Sequence, residues 1–150
     1  AKTGEGIEVE HLLSETIAGL MRDLSLGIKK PINGRPVLLA SVGEELHCLA
    51  IHALAAALAE ENVATHFLGA RTPVEALADM VRKTHPPVVF LWAQLKKNAD
   101  YSAMTALPAL RPAPRLILGG PGWEPARVTG ATVVTNLQEA CELVGSTIGN

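Results

Sequence analysis

This chain predicts an α/β fold, a flavodoxin/Rossmann-like doubly wound five-stranded parallel sheet, and two observations carry that expectation. Apolar runs of strand length recur at 36–42, 63–68, 87–92, 115–118 and 131–134, and helical stretches separate them. The run Val37-Leu38-Leu39-Ala40 is apolar at consecutive positions, as a strand buried on both faces of a parallel sheet requires. The natural strand order is 2-1-3-4-5, with right-handed crossovers and a switch point between the first and third strands.

Each element has its own warrant. Residues 8–26 read as an amphipathic helix, because Val9, Leu13, Ile17, Leu20 and Leu24 recur at i, i+4, i+8, i+11 and i+15. That stripe needs a partner and the first residue is Ala1, so further helices of a truncated bundle are expected upstream. Lys29 to Arg35 reads as linker, which divides the chain into a bundle remnant at 1–30 and an α/β domain at 31–150. After the first strand, an Ala/Leu-rich helix over about 47–61 carries Ile51, Leu54 and Leu58 on one face. Thr72, Pro73 and Glu75 read as N-cap, N1 and N3 of a capping box, with Val74, Leu77 and Val81 as the inner stripe. Pro108 stops a short helix after the third strand, and Asn136 with Glu139 caps the last one.

Composition excludes several classes. At 150 residues, 48% hydrophobic and 19% charged, the chain suits one globular domain with an appendage. A net charge of -2 with scattered Lys and Arg argues against a direct grip on nucleic acid. Cys48 and Cys141 have neither zinc nor disulfide-framework spacing, which suggests a reducing, cytoplasmic setting. The apolar stretch from Leu46 to Ala59 contains two histidines and is shorter than the ~20 residues a membrane span needs. No signal peptide is expected, and the Walker A, dinucleotide-fingerprint, nucleophile-elbow and H-E-x-x-H motifs do not occur in these 150 residues. An enzyme is therefore not expected. Trp92 stands where a receiver-type phosphoacceptor aspartate would end the third strand.

Three loops should converge at the carboxyl edge of the sheet: 43–47, 92–97 and 119–123. They carry Glu45 and His47, Trp92, and Gly119-Gly120 with Trp123. A neutral imidazole oriented by a carboxylate is a good ligand for a transition metal. One histidine cannot hold bare zinc, which usually takes four ligands. It could serve as axial ligand to a metal that brings its own equatorial ring, and that points to a macrocyclic cofactor. The bland alternatives stay open. His47 falls in line with Ile51, Leu54 and Leu58 if the helix starts there; Glu44-Glu45 suits a helix macrodipole. Gly119 to Gly122 suits a turn with positive φ, Trp123 a lid or a core anchor, and Cys48 a buried small apolar position. His52 reads as a helix-surface residue, His66 and His85 as polar positions.

Glu45-x-His47, Leu68-Gly69 and Thr72-Pro73, at these spacings, resemble the cobalamin-binding C-terminal domains of MerR-type transcriptional regulators, especially the light-responsive cobalamin regulators of bacteria. The GGPGW ending at Trp123 looks like an actinobacterial branch, and the resemblance covers roughly 36–145. It implies a cobalamin cofactor with His47 as lower axial ligand to cobalt, Glu45 as its orienter, and Gly119 and Gly120 as close-approach points for the nucleotide tail. Glu10-His11 resembles a pair directed at the upper face of the corrin. Two departures stand out: Ala50 replaces a glycine, and Trp92-Ala93-Gln94 replaces Ser-x-Leu. The implied function is a sensor whose cofactor state controls homo-oligomerisation, with DNA contacted only through an absent N-terminal domain and no membrane involved. Two alternatives remain: a ligand-free oligomerisation module whose pocket Trp92 fills, and a corrinoid carrier domain of a methyltransferase or mutase. The Glu at 45 and the missing Ser-x-Leu tell against the last.

Overall fold

The computed structural model describes residues 30–42 and 48–149, together with positions 15, 16, 19, 20 and 23, which are helical. The rest of the leading helix expected at 8–26 and the loop at 43–47 lie outside the described residues.

Five parallel strands, β1 (Val37–Ser41), β2 (Thr65–Phe67), β3 (Val88–Trp92), β4 (Arg115–Gly119) and β5 (Thr132–Val133), form one sheet in the order β2-β1-β3-β4-β5. The expected order and switch point are therefore observed. All five residues of β1 are buried. Successive side chains point to opposite faces, so Val37 and Leu39 enter one core while Leu38 and Ala40 enter the other. Both faces must then be covered, and the helices do it. On one side α1 (Leu49–Glu60) and α4 (Leu137–Ile148) contribute Ile51, Leu54, Leu58, Ala140 and Val144. The other side is covered by α2 (Val74–Thr84) and α3 (Ala103–Ala106), with Leu77, Val81 and Ala103. Each fully buried leucine or isoleucine contributes about 1.5–3 kcal/mol relative to exposure.

Helix α1 is rich in alanine, the strongest helix former. It ends where Asn62 adopts a left-handed φ of 62°, and Val63 N donates to Leu58 O at 2.9 Å. The segment read as linker is docked. Asn33 is buried; its Nδ2 donates to Ala64 O (2.9 Å) and its Oδ1 accepts from Ala64 N (2.8 Å).

The two helix-start expectations divide. Asn136 Oδ1 accepts from Glu139 N at 2.8 Å, and the Glu139 carboxylate accepts from Thr135 Oγ1 at 3.1 Å, so α4 is capped as expected. The capping box at Thr72 does not form. The Thr72 hydroxyl donates to Gly69 O (3.1 Å), its N–H donates to Ser41 O (2.8 Å), and Pro73 takes the N-cap place. A bridge between Thr72 and Val42 holds it to the sheet edge, so Thr72 is committed before α2 begins. His52 is also corrected, since it is buried with its ring edge-on to Phe67 at 4.9 Å. No helix among the described residues is long and apolar enough to cross a membrane.

Candidate functional site

Parallel register sets Ser41, Trp92 and Gly119 side by side at the carboxyl ends of β1, β3 and β4. This is the edge at which open α/β sheets bind ligands. The chain leaves β3 and β4 as two interlocked loops: Ala93 N donates to Gly119 O (3.1 Å) and Gly122 N to Ala93 O (2.9 Å). Gly120 makes that turn at φ 98°, and a Cβ there would lie 2.2 Å from Ala93 O. A Cβ on Gly119 would meet the Phe90 ring at 2.5 Å and the Trp92 ring at 3.2 Å. The glycines thus let two loops and two aromatic rings close up against β4.

Between those rings and the first turns of α1 and α4 lies a cavity of about 460 Å³, within the ~300–1,000 Å³ range of small-molecule sites. Its wall is largely aliphatic and aromatic: Ala50 and Ala53 from α1, Trp92, Trp123, Val134 and Leu137. Trp92 forms part of this wall and leaves the space open, so the premise that its indole fills the pocket is not met. Trp123 both anchors the core and bounds the cavity. It is 4% exposed and packs edge-to-face on Tyr101 at 5.3 Å, while the Tyr101 hydroxyl accepts from Glu124 N at 2.8 Å. The polar side chains at the mouth, Thr135 and Asn136, are engaged in capping α4. The indole N–H groups of Trp92 and Trp123 are buried and have no acceptor among the described residues. Three of the exposed large apolar side chains, Leu49, Leu95 and Leu137, sit at this same edge, at the first residues of α1 and α4 and just after β3.

Of the residues singled out in the sequence, Ala50, Trp92, Gly119, Gly120 and Trp123 line this cavity. Leu68, Gly69 and Thr72 do not. They are tied to the end of β1, with Leu68 N donating to Leu39 O (2.9 Å) and Ser41 N to Gly69 O (3.4 Å). Gln94 is exposed and also off the cavity. Glu10, His11, Glu45 and His47 lie outside the described residues. Helix α1 begins at Leu49, later than the start that would line His47 up with Ile51. Cys48 is partly exposed, and its Sγ lies 3.4 Å from Ser41 Oγ. A fourth loop, Thr135 to Leu137 after β5, was not foreseen as part of the site. The signal was available, because every loop after a parallel strand opens on the carboxyl edge. Among the described residues no group of three or more His, Cys, Asp or Glu side chains could hold a metal ion. Burial, with Glu61 and Glu142 nearby, pushes the Cys141 thiol up.

Fold and site together define a doubly wound α/β domain with an open apolar cavity at its switch-point edge. The chain shares this fold with a cobalamin-binding protein from Desulfitobacterium hafniense DCB-2, at TM-score 0.57 and 20% identity, over 89% of this chain and 67% of that one. A chain of the methanol:cobalamin methyltransferase complex MtaBC from Methanosarcina barkeri matches at TM-score 0.64 and 14% identity. That match covers 76% of this chain but only 46% of the other, so this chain spans under half of its length. No protein-family model and no curated protein matches the chain.

Proposed function

We propose that this chain is a cobalamin-binding domain, with the corrinoid on the carboxyl edge of the sheet and its nucleotide base in the cavity. The observation that carries the reading is the cavity of about 460 Å³ opening between β3, β4, α1 and α4. An apolar slot walled by indoles suits a flat aromatic base. Leu49, Leu95 and Leu137 give the rim an apolar surface for a macrocycle. Ala50, Trp92, Gly119, Gly120 and Trp123 would hold the base, and His47, with Glu45 as its partner, remains the sequence candidate for the residue that would hold the cobalt. When bound, the group would supply a cobalt ion able to take up and release a ligand.

The use to which the corrinoid is put has two readings, each with an observation behind it. A corrinoid carrier domain, serving a separate methyltransferase or mutase, is favoured by the fold shared with the methyltransferase complex. The sensor domain of a MerR-type regulator is favoured by the spacing of Glu45-x-His47, Leu68-Gly69 and Thr72-Pro73. In either case the chain presents the cofactor and another domain or partner acts: a catalytic subunit for the carrier, a DNA-binding domain for the sensor.

The test is to mix the protein with hydroxo-, methyl- and adenosylcobalamin, desalt, and record absorbance for wild type and His47→Ala. Wild type should retain pigment, and His47→Ala should shift its spectrum. Colourless protein in every case would overturn cobalamin binding. On retained pigment, methyl exchange with a partner enzyme marks the carrier. A change of oligomeric state with cofactor form or light marks the sensor.

A further inference from the structure

We propose that Tyr101 is a positioning residue of the cavity: it fixes Trp123 as a wall, and so sets how tightly the cavity holds a base, without lining the cavity itself. This rests on the reading that the cavity receives the base of a cobamide, and it deepens that reading by naming a residue that acts on the site through another. Gly120, Pro121, Trp123 and Pro125 belong to the lining, on a strap that runs from the end of β4 to the short turn Pro125–Arg127. The strap is fastened in its first half by the backbone, where Gly122 N donates to Ala93 O at 2.9 Å. Its second half is fastened by a side chain. The Tyr101 hydroxyl accepts from Glu124 N at 2.8 Å, and the Tyr101 ring meets the Trp123 ring edge-to-face at 5.3 Å. One residue thus holds both the indole and the backbone that follows it.

Tyr101 is itself well anchored. The Arg127 guanidinium lies over its ring at 3.9 Å, and Met104 N donates to its carbonyl at 3.2 Å as the chain turns into α3. Tyr101 and Trp123 both pack into the core covered by α2 and α3, so the closed face supplies the fixed point from which a wall of the open face is held. A wall that is ordered before the ligand arrives costs nothing to order on binding, whereas a wall that must be ordered then weakens the complex by that amount. The place of the Trp123 ring therefore enters the affinity for whatever packs on it.

Two measurements on wild type, Tyr101→Phe and Tyr101→Leu test this. The first is acrylamide quenching of fluorescence in the ligand-free protein, on a Trp92→Phe background in which Trp123 is the one tryptophan of the chain. The second, with both tryptophans in place, is equilibrium dialysis against hydroxocobalamin followed by absorbance. Tyr101→Leu should raise the quenching constant several-fold and weaken cobalamin binding about tenfold, the combined loss of an aromatic pair and a hydrogen bond. Tyr101→Phe keeps the ring and loses only the hydroxyl, so it should fall between the two in both readings, and it carries the test alone where the leucine variant does not fold. A residue that served overall stability alone would shift the urea midpoint and leave both readings of the folded protein where they were. Unchanged quenching, or raised quenching with unchanged affinity, would overturn the positioning role and leave cobalamin binding standing. Wild type holding no pigment would overturn the reading of the cavity and this inference with it.

Discussion

The two faces of the sheet are built from the same strands and end differently. On the face covered by α2 and α3, Leu38, Leu77, Val81, Leu91 and Leu118 close on one another with essentially no exposure. The face covered by α1 and α4 is as tightly filled beneath Ile51, Leu54 and Leu58, then opens at its carboxyl end into the cavity. On the open side the cavity is lined by the small side chains Ala50, Ala53 and Ala140 of α1 and α4, whereas α2 buries Val74 and Leu77 on the other. At about 24 cal/mol per Å³, a sealed dry void of about 460 Å³ would cost on the order of 10 kcal/mol, as much as a small domain's whole stability. Space on that scale is sustainable only where water or a ligand enters it. One face is therefore closed on itself, and the other is left open at its carboxyl end to water or a ligand.

The sharpest way to break this comparison is to exchange the volumes. Leu77→Ala on the sealed face should cost about 2–5 kcal/mol, read as a drop in the urea midpoint, because no neighbour can collapse into the gap. Ala53→Phe on the open face should move stability by under about 1.5 kcal/mol, because the ring enters existing space, while cobalamin retention is lost. Equal destabilisation by the two would mean that the faces are not distinct.

What was legible in the sequence follows the range of the interactions involved. Strand order could be read because unbroken apolar runs alternating with helical stripes leave few topologies. The Asn136 cap was legible because donor and acceptor sit three residues apart. Thr72 was misread because a distant strand end competes for it: Ser41 O takes its N–H, and the bridge to Val42 fixes the turn in which its hydroxyl meets Gly69 O. His52 was misread for the same reason, its burial being the work of Phe67 on a neighbouring strand. The cavity itself could not be read, since an alanine at position 53 serves equally as a good helix former and as a small wall.

A smaller effect sharpens the contrast within the open face. Asn136 sits at the mouth and also caps α4, so its side chain belongs to the cavity wall and to the fold at once. Asn136→Ala should cost about 1 kcal/mol by leaving Glu139 N unpaired. Faster amide exchange should appear in the first turn of α4 and leave α2 unaffected. Loss of protection spreading to α2 would show the two faces unfolding as one unit.

The smallest expected effect lies behind the same helix. Cys141, on α4, is partly buried against the core of the open face, and burial, reinforced by Glu61 and Glu142, raises its pKa. A thiol raised in the folded state holds its proton more tightly there than in the unfolded chain. The stability this contributes is complete below the ordinary thiol range, around 8.5, and is lost as pH climbs through the raised folded-state value. Urea midpoints of wild type and Cys141→Ala should therefore keep a constant offset through neutral pH. On the alkaline side the wild type should fall faster, since only its unfolded state gains by ionising a thiol that the fold keeps protonated. Parallel curves across that range would place the thiol in an environment no more shielded than water, and would mean that the core behind the cavity is looser than its counterpart under α2.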